Sequence, residues 1–184
     1  MTSDHADYTP TVSVEDAERI RRWHENAYRM ARAEGRSERT YTYLGLTLVV
    51  PPDVQPITGV SHVLGGAVLA EVRASDRVLG MGTGCGVNAI LAASKGASVV
   101  AVDINPHAVA AARRNAERNG VADRIVIRHS DVFDDVDGVF DLIVFDPPFR
   151  WFTPRDLLES AITDAGYRAM TTFFRQARRH LAPG

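Results

Sequence analysis

Along the first third of the chain, apolar residues recur at helical spacing; from residue 77 onward they gather into short solid runs separated by amphipathic stretches. Ile20, Trp23, Ala27, Met30 and Ala31 form one face of a helix near residues 14–34, with arginines and glutamates on the other face. Ser13 followed by Asp16 reads as its N-cap with an acidic first turn, and Gly35 as its end. Residues 41–50 read as one strand or a small hairpin, with Gly45 at a turn or bulge. Pro51, Pro52 and Pro56 enforce an extended crossing segment, and residues 63–72 form an apolar helix. Val78-Leu79 then opens a buried strand, residues 80–86 a glycine loop and residues 87–94 a helix. A second strand, residues 98–102, ends at Asp103; Asn105 caps the next helix, Pro106 takes its first position and Asn119-Gly120 closes it. Residues 125–127 and 140–145 are the third and fourth strands, and helical stretches start at Thr153-Pro154 and span residues 167–181. Strands and helices alternating at these lengths predict an α/β fold with a doubly wound, mainly parallel sheet. Right-handed crossovers place the loops after each strand along one edge, where such folds bind ligands. The expected division is an appendage over residues 1–62 and a core over residues 63–184.

Composition narrows the class without naming a function. The 184 residues carry 45% hydrophobic and 24% charged side chains, the balance of a globular domain with a substantial core. A net charge of -2 gives no overall attraction to nucleic acid or membrane. No apolar stretch approaches the length of a bilayer span and no secretory leader is legible, so the expected location is cytoplasmic. One cysteine, Cys85, excludes an internal disulfide and fits a reducing compartment. No metal-ligating cluster is read.

The chemistry-bearing residues fall at the strand ends. Gly80-Met81-Gly82-Thr83-Gly84-Cys85-Gly86 lets the backbone turn out of a strand and approach a ligand closely at a helix N-terminus. Such a loop suits a dinucleotide phosphate or the amino-acid end of S-adenosylmethionine; the Gly82-x-Gly84-x-Gly86 spacing differs from the dinucleotide pattern. Asp103 at the next strand end is placed to accept the ribose hydroxyls of an adenosyl ligand, and Ile104 to cover one face of its adenine. Asp141-Leu142-Ile143-Val144-Phe145 runs directly into Asp146-Pro147-Pro148-Phe149. Two prolines stiffen that loop and remove two donors, leaving carbonyl acceptors beside a carboxylate and an aromatic ring. The Asp146 carboxylate and the Pro147 carbonyl together offer two hydrogen-bond acceptors, and Phe149 a face to stack on.

These residues in this order resemble class I S-adenosylmethionine-dependent methyltransferases of the small methyltransferase domain group, which includes release-factor glutamine and ribosomal RNA guanine N-methyltransferases. The resemblance covers roughly residues 41–182, and the proline-bearing segment, residues 48–56, is similar to the one that closes over the site in that group. It implies a Rossmann-like core with S-adenosyl-L-methionine as cofactor, held by Gly82, Thr83, Gly84, Gly86, Asp103, Ile104, Asp131 and Val132. It implies that the methyl acceptor is a planar amide or exocyclic amino nitrogen of a macromolecule, either protein glutamine or an RNA base. It implies catalytic roles for Asp146 and Pro147, which would accept the N–H hydrogens of that poor nucleophile, and for Phe149, which would stack on it. His129 is read as structural or exposed.

Two departures bear on this reading. Gly80 stands where the group usually has an acidic residue. After Ala182-Pro183-Gly184 the family's sheet would continue, so the last strands are absent from residues 63–184, and a homodimer, a further C-terminal segment or the N-terminal segment is expected to cover the fourth strand's exposed edge. The alternative function is a methyltransferase-like binding module with weak or no catalysis; an NAD-dependent oxidoreductase is disfavoured by the glycine spacing and the proline-proline-aromatic loop. The arginines at 19, 21, 22, 29, 32, 36 and 39, interleaved with glutamates, read as a solvated helix face rather than a phosphate-binding one.

Overall fold

The computed structural model describes residues 9–34, 37–59 and 61–183; Gly35 and Arg36 lie outside them. Helix α1 spans Val14–Glu34, and the expected cap is present: the Asp16 N–H donates to Ser13 Oγ at 3.1 Å. Strands β1 (Arg39–Tyr43) and β2 (Leu46–Val50) form an antiparallel hairpin. Leu44 and Gly45 turn between them with φ of 46° and 84°, the paired left-handed geometry that matches hairpin twist. Helix α2 (Ser61–Glu71) follows the proline segment.

The core then alternates as expected: β3 (Arg77–Met81), α3 (Val87–Ser94), β4 (Ser98–Asp103), α4 (Pro106–Arg118), β5 (Ile125–His129) and β6 (Leu142–Phe145). All neighbours in the sheet are parallel, in the order β5-β4-β3-β6. The chain builds outward from β3 through β4 to β5, then crosses back to place β6 on the other side of β3. That reversal puts the crevice between the ends of β3 and β6.

The two faces of the sheet separate by strand alternation. Val78, Val99, Ala101, Ile125, Ile127 and Val144 face the layer of α3 and α4, together with the hairpin and α2. Leu79, Met81, Val100 and Val102 face a smaller cluster containing Phe133, Val136 and Phe140. Ala169, Phe173 and Ala177 complete that second cluster; the first two lie on α6 (Arg168–Gln176).

The hairpin is attached by side-chain amides. The outer edge of β2 has no strand neighbour among the described residues, and two asparagines one turn apart, Asn115 on α4 and Asn119 at its C-cap, supply its hydrogen bonds. Asn115 Oδ1 accepts the Val49 N–H and Asn115 Nδ2 donates to the Val49 carbonyl, both at 2.9 Å. Asn119 repeats this with Thr47 at 3.0 and 2.9 Å. Asn115, fully buried, also donates to the Cys85 carbonyl at 2.9 Å, joining hairpin, helix and glycine loop.

Two expectations for the C-terminal part need correction. The helix anticipated from Thr153 is one short turn, α5 (Leu157–Ser160), because Asp156 caps it and the preceding segment is held against α1. The helix anticipated over residues 167–181 is α6 followed by a 3-10 turn, Ala177–His180; Tyr167 stands outside it with φ of 58°. Just before β6, the Phe140 N–H donates to the His180 carbonyl at 2.8 Å and the Ala182 N–H to the Phe140 carbonyl at 2.9 Å, so residues 180–182 pair with Phe140 in parallel.

Candidate active site at the switch point

The glycine loop leaves β3 by a tight turn. The Thr83 N–H donates to the Val102 carbonyl at 2.9 Å, and the Gly86 N–H to the Thr83 carbonyl at 2.9 Å. A Cβ on Gly86 would lie 3.0 Å from Ala112 Cβ, so its absence lets α3 begin against α4. Gly84, with φ of 56°, has nothing within 4 Å of the position a Cβ would take, so bare backbone faces open space there. Cys85 is buried, which pushes its thiol up to about 11; it is a packing residue rather than a nucleophile.

Asp103 ends β4 facing this loop. Its Oδ2 accepts the Gly84 N–H and its Oδ1 the Asn105 N–H, each at 2.8 Å. Burial pushes the carboxyl upward from its ordinary range, while the Asn105 and Gly84 donors pull it back. Each oxygen keeps a second acceptor position. Ile104 beside it is 45% exposed, an apolar side chain presented at the strand edge, and His129 Nε2 lies 2.9 Å from its carbonyl. Asn105 caps α4 through the His107 N–H at 2.9 Å and also donates to the Asp53 carbonyl at 2.7 Å. That bond ties the proline segment to the end of β4.

Past β5, Ser130 is buried and its hydroxyl donates to the Val132 carbonyl at 3.0 Å while accepting the Asp135 N–H at 3.0 Å. Val132 is held at φ of 49°, a strained conformation for a β-branched residue. Asp131 is ion-paired with Arg168 at 2.9 Å, a partner from α6 that the sequence did not suggest.

The fourth strand delivers Asp146-Pro147-Pro148-Phe149 to the same edge. Phe145 sits opposite Met81 in the ladder, and a Cβ on Gly82 would meet the Phe145 ring at 3.2 Å. The loop therefore leaves the sheet beside the glycine loop. Among the described residues, neither the exposed Asp146 carboxylate nor the Pro147 carbonyl has a hydrogen-bond partner. Phe149 is 57% exposed. The Arg150 guanidinium carbon lies 4.5 Å from the centroid of the Phe149 ring and 4.5 Å from that of Trp23 on α1.

Helix α1 packs on the segment that follows. His24 Nε2 and Glu159 Oε1 are 2.6 Å apart and both residues are buried; Arg155 bridges Glu159 at 2.7 Å and Glu25 at 2.9 Å. Tyr28 and Arg32 both donate to Asp156. The solvated-face reading of the arginines holds in part: Arg19 pairs with Asp16 at 2.7 Å and Arg22 with Glu18 at 3.7 Å, whereas Arg32 joins the interface and Arg21 lies 4.7 Å over the Phe152 ring. Sequence reasoning missed Trp23, Asn115, Arg150 and Arg168 as residues of this region. The available signals were two asparagines at i, i+4, the second at a helix C-cap, and an arginine directly following the aromatic of the proline motif.

A parallel sheet reversing at β3, with a glycine loop and an acidic strand end on one side and a proline-proline-aromatic loop on the other, is the Rossmann-like architecture of methyltransferases. The profile of the "Methyltransferase small domain" family matches residues 61–184, and the chain belongs to that family. A stretch of 77 residues is 47% identical to the ribosomal RNA small subunit methyltransferase C of Chromohalobacter salexigens, covering 42% of this chain and 22% of that protein. A stretch of 83 residues is 43% identical to the release factor glutamine methyltransferase of Cereibacter sphaeroides, covering 45% and 30%. The solved tRNA (uracil-54, C5)-methyltransferase of Pyrococcus abyssi in complex with S-adenosyl-L-homocysteine superposes with a TM-score of 0.52 at 28% identity, over 61% of this chain and 28% of that one. The matched region thus spans less than half the length of these curated relatives. No helix among the described residues is long and apolar enough to cross a membrane.

Proposed function

We propose that the protein transfers a methyl group from S-adenosylmethionine to a planar amide or exocyclic amino nitrogen of a macromolecule, protein or RNA. The observation that carries this reading is the pair of unpartnered acceptors, the Asp146 carboxylate and the Pro147 carbonyl, beside an exposed ring and next to the glycine loop. The cofactor fits the residues present: bare backbone at Gly84, a carboxylate at Asp103 with acceptor positions to spare, and an exposed apolar Ile104. Gly82, Thr83, Gly84 and Gly86 would hold its amino-acid end, Asp103 its ribose, and Ile104, Asp131 and Val132 its adenine. When bound, it supplies an electrophilic methyl group on a sulfonium.

The chain's own residues do the rest by position and charge. Asp146 and Pro147 accept the two N–H hydrogens of the acceptor nitrogen and so turn its lone pair toward the cofactor side of the crevice. Positive charge grows on that nitrogen during transfer, and the Asp146 carboxylate stabilises it without any rearrangement. Phe149 stacks on the planar group and sets its angle. No side-chain nucleophile is required.

Asp146→Ala is expected to lower turnover by about 100-fold or more while leaving cofactor affinity within a factor of about two. Transfer of radiolabelled methyl into cell extract, alongside calorimetric titration of the cofactor, reads both quantities. Undiminished turnover in that variant would refute these roles. A second reading, a methyltransferase-like binding module with weak or no catalysis, is favoured by Gly80, which leaves a carboxylate-free position beneath the loop; failure of the unsubstituted chain to bind S-adenosylmethionine would decide for it.

A further inference from the structure

The corner between α1 and the proline motif is built for a ligand that the cofactor site does not account for. Of the six buried side-chain polar atoms without a partner among the described residues, four lie here: Arg150 Nε and Nη1, Trp151 Nε1 and His24 Nδ1. The arginine and tryptophan atoms are donors only. Arg150 is 5% exposed, and burial pulls its guanidinium below the ordinary arginine range, yet no carboxylate pairs with it among the described residues. It is held instead between two aromatic rings, each 4.5 Å away, and those rings, Trp23 and Phe149, are 58% and 57% exposed. Arg21 over Phe152 repeats the pairing of cation and ring nearby.

A buried cation with unused donors lacks an acceptor-rich anion. Two half-exposed rings flanking it lack flat apolar partners. A nucleic-acid strand satisfies both demands at once, with a phosphate at every nucleotide and a stacking face on every base. A glutamine-bearing polypeptide supplies the planar amide but has neither an anion nor a flat ring at every repeat of its backbone.

We infer that Trp23, Phe149 and Arg150 form a docking platform for single-stranded RNA. In it, Phe149 stacks on the acceptor base, Trp23 on a neighbouring base, and Arg150 binds the intervening phosphate. This rests on the methyltransferase reading above and specifies its acceptor. The platform requires Trp23 to move: its ring lies over Arg150 at 4.5 Å, and turning onto a base uncovers the Nε and Nη1 donors. The appended helix α1, outside the matched family region, thereby becomes the substrate-reading part of the protein.

The test measures fluorescence anisotropy of a labelled oligoadenylate of about a dozen nucleotides with the full chain, from about 50 to 200 mM salt. Trp23→Ala, a change at an exposed position, is expected to weaken binding by about 5- to 100-fold. Arg150→Met is expected to lower the slope of log affinity against log salt by about one phosphate. S-adenosylmethionine affinity, read by calorimetry, stays unchanged in Trp23→Ala. The platform is overturned if the unsubstituted chain ignores the oligonucleotide at low salt, if Trp23→Ala binds it normally, or if radiolabelled methyl from extract enters protein and not RNA. Failure of the unsubstituted chain to bind S-adenosylmethionine would strike the methyltransferase reading instead, with RNA affinity still decided by the anisotropy.

Discussion

Replacing Asn115 by alanine removes the amide that holds three parts of the molecule together. The side chain is fully buried and makes four hydrogen bonds: from the Val49 N–H at 2.9 Å, to the Val49 and Cys85 carbonyls at 2.9 Å each, and from Arg118 at 2.8 Å. Alanine leaves the Val49 N–H and two carbonyls without partners. Each buried orphan costs about 1–3 kcal/mol. Water entering along the hairpin edge recovers part of this, so the expected loss is about 3–5 kcal/mol. With a urea dependence of about 2 kcal/mol per molar, the unfolding midpoint falls by about 1.5–2.5 M. Asn115→Asp separates donors from acceptors. It keeps the Val49 N–H and Arg118 bonds but sets a carboxylate oxygen against two carbonyls, so it is at least as destabilising near neutral pH and recovers as acid restores a donor. Cofactor affinity falls in both variants, since Cys85 belongs to the glycine loop. A midpoint shift below about 0.5 M for Asn115→Ala would refute the argument that these amides attach the hairpin.

Two further outcomes follow from the site. At Gly80 an added Cβ would stand 3.6 Å from Ala89 Cβ and 3.8 Å from the unpartnered Thr83 hydroxyl, ordinary contacts in a conformation open to any residue. Gly80→Asp is therefore expected to fold and to tighten calorimetric binding of S-adenosylmethionine, through its ammonium group, by about tenfold, the worth of one charge-assisted hydrogen bond; unchanged affinity would count against a deficit at this position. Glu159 is held at about 2 rather than 4.5, chiefly by Arg155 and also by His24, so its contribution is complete above the unfolded value and is lost as pH falls through the folded one. About 2–3 kcal/mol of stability should disappear between those two values, and Glu159→Gln should flatten the midpoint-against-pH curve across that window; a curve unaltered by the substitution would exclude the assignment.

How much of this was legible in the sequence depends on the range of the interactions that decide each feature. The β3-to-α4 region was readable nearly residue by residue because its determinants are local: solid apolar runs bounded by glycines, a proline at the first turn of α4 and an asparagine cap before it. The end of the chain was not. Residues 177–181 carry a helical pattern, yet pairing with Phe140, some forty positions earlier, draws Leu181 into an extended conformation, and no window along the sequence contains that partner. The same division runs through the site. Strand-end residues such as Asp103 and Asp146 were legible because a parallel sheet sends every strand end to one edge. Arg150 was not legible as a candidate because its setting comes from Trp23, more than a hundred residues away on a helix of which only the arginine-rich face was read, and that as solvated. A guanidinium with unused donors signals a binding role only once burial removes water as its partner, and burial here is created by the docking of α1. The proposed platform is thus a property of a tertiary contact, and the proposed cofactor loops, being local, could be read without it.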